Sequence, residues 1–190
     1  MLKKYGHHIP IVFMILPFIY IMYESLDVAS KKIKLPDRQE YTSYFTSVEI
    51  TPEIKNLALK LGSVKASLDY VTNIPYKVHN FRAREPIETI KRNYGDCDDK
   101  SNLLSSLLTA LEYENYIVLV PKHAFVIVNL KQNLPDKKAL HFNGKSYYVL
   151  ESTAENSDIG YELKYTRQQI EAIINPLEKE IVQTGTIDYY

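Results

Sequence analysis

The sequence predicts an α+β domain in which a helix packs on an antiparallel β-sheet, and two patterns carry this prediction. Between residues 51 and 113, apolar side chains recur at the helical spacings of three and four. Beyond residue 115 the pattern changes to short apolar runs and a hairpin signal, which are typical of antiparallel strands. Helices that precede the strands, rather than alternate with them, indicate the α+β class.

The helical half has well-marked ends. Residues 51–53 supply a capping hydroxyl, a proline and an acid, which together start a helix. Gly62 is expected to end that helix, and Ser63 to cap a second one. Residues 86–92 predict a short third helix, and a fourth begins near Cys97. The fourth helix has the most regular apolar stripe, formed by Leu104, Leu107, Leu108 and Leu111.

Strand signals fill most of the remaining chain. Apolar runs at 116–120, 124–130 and 147–150 predict three strands. The Asn-Gly pair at 143–144 predicts a type I′ hairpin turn, because these residues adopt the positive φ angles that the turn requires. Residues 166–174, closed by a proline shortly after, predict a last helix.

Composition excludes several classes of protein. The chain carries 23 Lys and Arg against 23 Asp and Glu with no long basic run, so nucleic acid is not an expected partner. Its single cysteine, Cys97, excludes an intramolecular disulfide and a zinc site built from several thiolates. No cofactor is expected.

A membrane anchor is predicted for residues 1–24. No formal charge occurs from residue 5 to residue 23, and a helix of about 19 residues spans ~28 Å, close to the hydrocarbon core of a bilayer. A cleaved signal peptide is the alternative, although the residues after the apolar run lack the small side chains of a cleavage site. A buried core helix fits less well, because residues 9–23 have no polar face.

The other boundaries follow from composition. Residues 25–50 predict a stalk or linker, 51–182 the folded domain and 183–190 a C-terminal tail. Lys3 and Lys4 favour a cytoplasmic N-terminus, although basic residues also follow the anchor. We therefore expect a single-pass membrane protein whose domain is extracytoplasmic.

Cys97 is predicted at the N-terminus of the fourth helix, where a nucleophilic cysteine gains most from its surroundings. Unpaired backbone N–H groups and the helix dipole favour a thiolate there. The same N–H groups can stabilise an oxyanion that forms beside the sulfur. The alternative is a cysteine that only fills the core, since free cysteines are among the most buried residues.

A nucleophilic thiol needs a base, and the base needs an orienting group. His123 opens a predicted strand and is the candidate base, although a lone histidine at a strand end is often only a surface residue. Glu151 follows another predicted strand and would face His123 if the two strands are neighbours. Asp158 is the second candidate for the orienting carboxylate. His79 and His141 are assigned structural roles.

These pieces together resemble the motifs of the transglutaminase-like superfamily. Residues 94–101, with the leucines after them, are similar to the nucleophile motif of that family. Residues 123–126 resemble its histidine motif, and residues 147–153 resemble the strand that delivers the acid. Upstream, residues 73–76 and 84–89 are similar to the lead-in of the family.

The resemblance implies a papain- or transglutaminase-like domain with a catalytic triad of Cys97, His123 and Glu151. The family usually has aspartate where Glu151 stands, but the longer glutamate can still accept the Nδ1–H bond of the histidine. The resemblance also implies a second oxyanion donor ahead of the nucleophile, for which Tyr76 is the match.

Several charged residues flank the nucleophile. We expect Asp96, Asp98 and Asp99 to face away from the sulfur, since a carboxylate aimed at a thiol would raise its pKa. Asp96 would cap the helix, and the other two would lie in its first turn, where negative charge is favoured. The alternative, in which these acids bind a metal, is less favoured. Lys100 is expected on a solvated face.

The predicted chemistry is acyl transfer on a peptide or isopeptide amide bond. Cys97 attacks the carbonyl, His123 moves the proton, and a thioester forms that an acceptor resolves. Water as acceptor gives a peptidase or amidase, which we expect, whereas an amine gives a cross-linking transferase. A peptide or protein substrate and the membrane are the expected partners. The alternatives are a non-catalytic, membrane-tethered peptide- or protein-binding module on the same fold, and a structural membrane protein with Cys97 in its core.

Overall fold

A computed structural model of the chain describes Tyr44, Ser47, residues 48–79 and residues 82–190. The predicted anchor and the linker as far as residue 43 lie outside the described residues. Within the part of the chain that is described, no helix is both long and apolar enough to cross a membrane. Tyr44 and Ser47, at the end of the predicted linker, are buried, with 8% and 5% of their surface exposed.

Four α-helices lie within residues 52–110. They are Pro52–Leu61 (α1), Val64–Thr72 (α2), Pro86–Arg92 (α3) and Cys97–Ala110 (α4). The side chain of Thr51 accepts the amide N–H of Ile54, which caps α1, and Gly62 ends that helix with a φ of 69°. Ser63 caps α2 in the same way. The predicted helices and their capping residues are therefore confirmed in this part of the chain.

The described residues after α4 form a seven-stranded antiparallel sheet in the order β6-β5-β1-β2-β4-β3-β7. The strands are Asn115–Val120 (β1), His123–Val128 (β2), Leu140–Phe142 (β3), Lys145–Leu150 (β4), Ala172–Asn175 (β5), Glu180–Ile181 (β6) and Asp188–Tyr189 (β7). Asn143 and Gly144 turn the β3–β4 hairpin with φ angles of 50° and 75°. The Asn-Gly turn is thus confirmed.

The predicted last helix at residues 166–174 is wrong. Arg167–Gln169 form a single 3₁₀ turn, and the chain then enters β5, which pairs with β1. Two buried isoleucines, Ile173 and Ile174, suit a strand because they are β-branched, and β1 offers them a free edge. Residues 183–190, predicted as a tail, include β7, which pairs with β3.

Helix α4 packs against β1 and β2, and this contact forms the main core. Leu103, Leu104, Leu107 and Leu108 are fully buried there, and burial of one leucine contributes ~1.5–3 kcal/mol. From β2, Ala124 and Val126 face the helix, whereas Phe125 belongs to a second apolar cluster on the opposite face of the sheet. The predicted α+β architecture, with a helix on an antiparallel sheet, is confirmed.

Candidate functional site

Cys97 is the first residue of α4, as predicted. Asp96 precedes it as the N-cap, and its carboxylate accepts the amide N–H of Asp99 at 3.3 Å. The thiol is half-buried, which differs from the sealed position of a cysteine that only fills the core. The sulfur therefore combines a helix N-terminus with access from solvent, the two properties that a nucleophilic thiol needs.

Three groups contact the sulfur. Its thiol donates to Oδ1 of Asp98 at 3.5 Å. The backbone N–H of Ala124 hydrogen bonds to the sulfur and favours the thiolate. The Tyr76 side chain, which is 52% exposed, also lies close to the sulfur, because burial first and the Cys97 charge second raise the pKa of its hydroxyl. The residue that the resemblance implies as an oxyanion donor is thus beside the nucleophile.

The expectation that the acids face away from the sulfur is wrong for Asp98. The Tyr44 hydroxyl donates to Oδ1 of Asp98 at 2.6 Å and holds that carboxylate beside Cys97. Burial first, and the Asp98 charge second, raise the pKa of the Cys97 thiol to about 12. The resting site therefore holds a protonated thiol, which must lose its proton as it attacks.

Replacing Asp98 with asparagine is expected to lower the pKa of Cys97, because the substitution removes an anion that disfavours the thiolate. With a pKa of about 12, alkylation of the wild-type thiol should rise about tenfold per pH unit throughout neutral and alkaline pH. In Asp98→Asn the whole profile should move to lower pH, about tenfold faster for each unit of pKa lost. Iodoacetamide alkylation rates across roughly pH 6–10 measure this. Asp69→Asn, on the exposed side of α2, is the matched control, and identical profiles for the two variants would contradict the assignment.

The strand order brings the candidate base and the candidate acid together. His123 opens β2, Glu151 directly follows β4, and these strands are neighbours. Nε2 of His123 lies 2.7 Å from Oε2 of Glu151. The contact is made through Nε2 rather than through the Nδ1 atom named in the sequence-based expectation.

Glu151 is held as an anion by its hydrogen bonds. Its Oε1 atom accepts the amide N–H of Thr153 at 3.0 Å and the Thr153 hydroxyl at 2.6 Å. Burial alone would raise the pKa of Glu151, but the bonds from His123 and Thr153 outweigh burial and hold that pKa below its usual range.

Cys97 lies next to the start of β2. The N–H that bonds to the sulfur belongs to Ala124, the residue directly after His123. The His123 ring lies on the side of Phe125, at a ring-centroid distance of 6.3 Å, and Tyr165 stacks on it at 6.1 Å. These aromatic rings and Glu151 line a cavity of about 310 Å³ that opens beside the imidazole.

Asp158, the second candidate for the orienting acid, is placed elsewhere. Its Oδ2 atom lies 3.6 Å from Nζ of Lys137, and both side chains are well exposed. His141, assigned a structural role, stacks on Tyr190 with ring centroids 4.0 Å apart. Neither residue belongs to the group around Cys97.

A buried charge network beside the nucleophile was missed by the sequence analysis. The fully buried carboxylate of Asp99 accepts the Arg84 amide at 2.7 Å and its guanidinium at 3.2 Å, and it contacts Nε2 of His79 at 2.7 Å. Donor atoms of His79, Asp96 and Asp99 lie within 4.8 Å of one another, close enough for a metal ion. Because the guanidinium already balances Asp99, the arrangement is explained as an ion network that anchors the chain before α3.

No protein-family model and no curated protein matches this chain. Among solved structures, it is similar to a protein from Cytophaga hutchinsonii described as a "putative cysteine protease". The two are 14% identical with a TM-score of 0.43, and the likeness covers 84% of this chain and 57% of the other. This chain thus corresponds to less than two thirds of that protein, and so slight a likeness leaves the chemistry to be inferred from the residues described above.

Proposed function

We propose that the chain is a cysteine acyl-transfer enzyme of the transglutaminase-like type, which cleaves peptide or isopeptide amide bonds with water as acceptor. One observation carries the proposal. A half-buried thiol at a helix N-terminus contacts the residue next to His123, whose ring is paired with a charged carboxylate. Nucleophile, base and orienting acid are the groups that thioester chemistry requires.

The proposed reaction starts from the protonated thiol. Nδ1 of His123 accepts the thiol proton as the sulfur attacks the amide carbon, and Glu151 stabilises the imidazolium that forms. The developing oxyanion accepts hydrogen bonds from the first N–H groups of α4 and from the Tyr76 hydroxyl. Collapse breaks the C–N bond, the imidazolium protonates the leaving amine, and a thioester on Cys97 remains.

Water then resolves the thioester. His123 removes a proton from the attacking water, a second tetrahedral oxyanion forms, and its collapse breaks the C–S bond. The products are a carboxylic acid and the free thiol, so the site returns to its starting state without a cofactor. With the anchor predicted for residues 1–24, the proposed substrates are peptides or proteins close to the outer face of a membrane.

One observation favours a second candidate, a non-catalytic peptide-binding module. The pKa of Cys97 is raised to about 12, so few molecules carry a thiolate at neutral pH. A decayed enzyme could keep the cleft and bind peptides without cleaving them. The complete set of Cys97, His123 and Glu151 favours catalysis over this alternative, because general-base transfer to the histidine needs no resting thiolate.

Removing either the thiol or the imidazole is expected to abolish turnover. Cys97→Ser and His123→Ala should each lower the rate of amine release from fluorogenic peptide amides by about 10³-fold or more, because they remove the nucleophile and its base. His141→Ala, a histidine on β3, is the matched control and should retain wild-type turnover. Acid quenching with mass spectrometry should trap the acyl group on wild-type Cys97.

Two results would contradict the proposed catalytic site, and the first of them would favour the binding module. One is that the wild-type protein binds the peptide amides but releases no amine. The other is that all three variants release amine at the wild-type rate, which would place the activity outside this site. Calorimetric binding of the same peptides to the Cys97→Ser protein separates binding from turnover.

A further inference from the structure

Lys100 is a buried lysine that the proposed reaction does not use. It lies on α4, one turn beyond Cys97, and 2% of its surface is exposed, so the expectation that it occupies a solvated face is wrong. Burial lowers the pKa of its ammonium group to about 8, and the facing carboxylate of Glu151 offsets only part of that effect. Burying an ammonium group is costly unless its hydrogen bonds are satisfied.

The ammonium group binds two backbone carbonyls. Nζ donates to the carbonyl oxygen of Ile74 at 2.9 Å and to that of Thr72 at 3.2 Å. Thr72 is the last residue of α2, where carbonyl groups lack partners within the helix and the dipole is negative. Charge-assisted bonds of this kind are about twice as strong as neutral ones, so Lys100 fixes the exit of α2 to α4.

The segment held in this way carries Tyr76. Directly after Ile74, the Pro75 carbonyl accepts the Gly95 amide at 3.1 Å, and the Gly95 carbonyl accepts the Lys77 amide at 3.0 Å. These bonds form a parallel bridge between Tyr76 and Gly95. The segment is thus fastened to the chain just before the nucleophile by Gly95 and just after it by Lys100.

We propose that Lys100 is a positioning residue that holds the segment Ile74–Tyr76 at a set distance from α4. This places the hydroxyl of Tyr76, a residue near the sulfur and bridged to Gly95, where an oxyanion forms on the carbon that Cys97 attacks. Lys100 acts through the backbone and does not touch the substrate. The inference rests on the proposed function, because it gives a neighbouring group a part in the same reaction.

The inference is tested with Lys100→Met, which keeps an unbranched side chain and removes the ammonium group. With peptide amides, kcat should fall about 10–100-fold at nearly constant KM, a fraction of the ~10²–10³-fold that loss of a whole oxyanion donor costs. Lys60→Met, on the exposed face of α1, is the matched control and should match the wild type. Thermal unfolding by circular dichroism verifies that each variant is folded.

A double-mutant cycle separates positioning from general destabilisation. Tyr76→Phe should lower kcat by itself, and adding Lys100→Met to it should cause little further loss, because the group being positioned is already gone. Fully additive losses would overturn the inference. So would a Lys100→Met protein that is folded and as active as Lys60→Met.

A third measurement does not depend on turnover. In protein labelled with 3-fluorotyrosine, the ¹⁹F resonance that is missing from Tyr76→Phe reports the surroundings of that ring. It should shift in Lys100→Met, or in Lys100→Gln if the first variant does not fold, and stay in place in Lys60→Met. If the wild type cleaves no peptide amide but this shift occurs, the proposed function is wrong and the positioning of Tyr76 by Lys100 is supported. If the wild type turns over but the Tyr76 resonance does not shift in Lys100→Met, only the positioning role of Lys100 is overturned.

Discussion

Replacing Glu151 with glutamine is expected to lower kcat for peptide amides by about 10³–10⁴-fold and to leave the fold intact. Glutamine has nearly the same shape but no charge, so it cannot stabilise the imidazolium that forms when His123 takes the thiol proton. It can also present an N–H group to Nε2, at 2.7 Å in the wild type, and so favour the wrong tautomer of the ring. The loss should fall on kcat, because Glu151 acts after the substrate has bound.

The control is Glu162→Gln, because Glu162 lines the same cavity and its charge faces Lys138 on the surface at 3.5 Å. That variant should keep wild-type kcat, and a Glu151→Gln protein with the same rate as the control would contradict the role proposed for Glu151.

The stability of the fold at acid pH gives a second test of Glu151. Because the folded pKa of Glu151 lies below its ordinary value of 4.5, its stabilising effect is complete above that pH and is lost as pH falls through the folded pKa. In acid unfolding, the stability of Glu151→Gln should not show the part of the pH dependence that comes from protonation of Glu151.

The second large effect is expected on stability. Asp99→Ala should lower the free energy of unfolding by about 3–5 kcal/mol, because it leaves a buried charge without its counter-ion. The carboxylate is fully buried, and the Arg84 and His79 side chains that it pairs with are 10% and 8% exposed. Solvent therefore cannot readily replace the lost partner.

Urea unfolding measures this loss. Asp69→Ala is the matched control, since the Asp69 pair with Lys65 is about half exposed and such pairs contribute ~0–1 kcal/mol. Removing the guanidinium as well, in Asp99→Ala combined with Arg84→Leu, should recover part of the stability, because the uncompensated charge is then gone. A loss in Asp99→Ala no larger than that in Asp69→Ala would show that the network does not anchor the chain.

Much of the fold could be predicted from local patterns. The stripe of leucines in α4, the caps at Thr51 and Ser63 and the Asn-Gly turn are each encoded within a few residues, since spacing and φ preference act over short distances. The prediction that Cys97 begins a helix belongs to the same class. The prediction of a helix at residues 166–174 was wrong because the spacing of its isoleucines suits a strand as well as a helix. Pairing with β1 decided between the two.

The site could be predicted only in part. The pairing of His123 with Glu151 follows once β2 and β4 are neighbours, and that strand order is a property of the whole sheet. The orientation of the Asp98 carboxylate toward the sulfur could not be predicted, because its hydrogen-bond partner Tyr44 lies 54 residues away in the sequence. The burial of Lys100 depends in the same way on the carbonyls of Thr72 and Ile74, at the end of another helix.

The sequence by itself therefore determined the class of the domain, the ends of its first helices and the place of the one thiol at a helix start. These depend on side-chain periodicity and capping, which involve neighbours along the chain. The tertiary structure alone decided which carboxylate meets the thiol, which nitrogen of His123 meets Glu151 and what the Lys100 ammonium binds. Those contacts join residues far apart in the chain, so they are set by how the elements pack and not by local spacing.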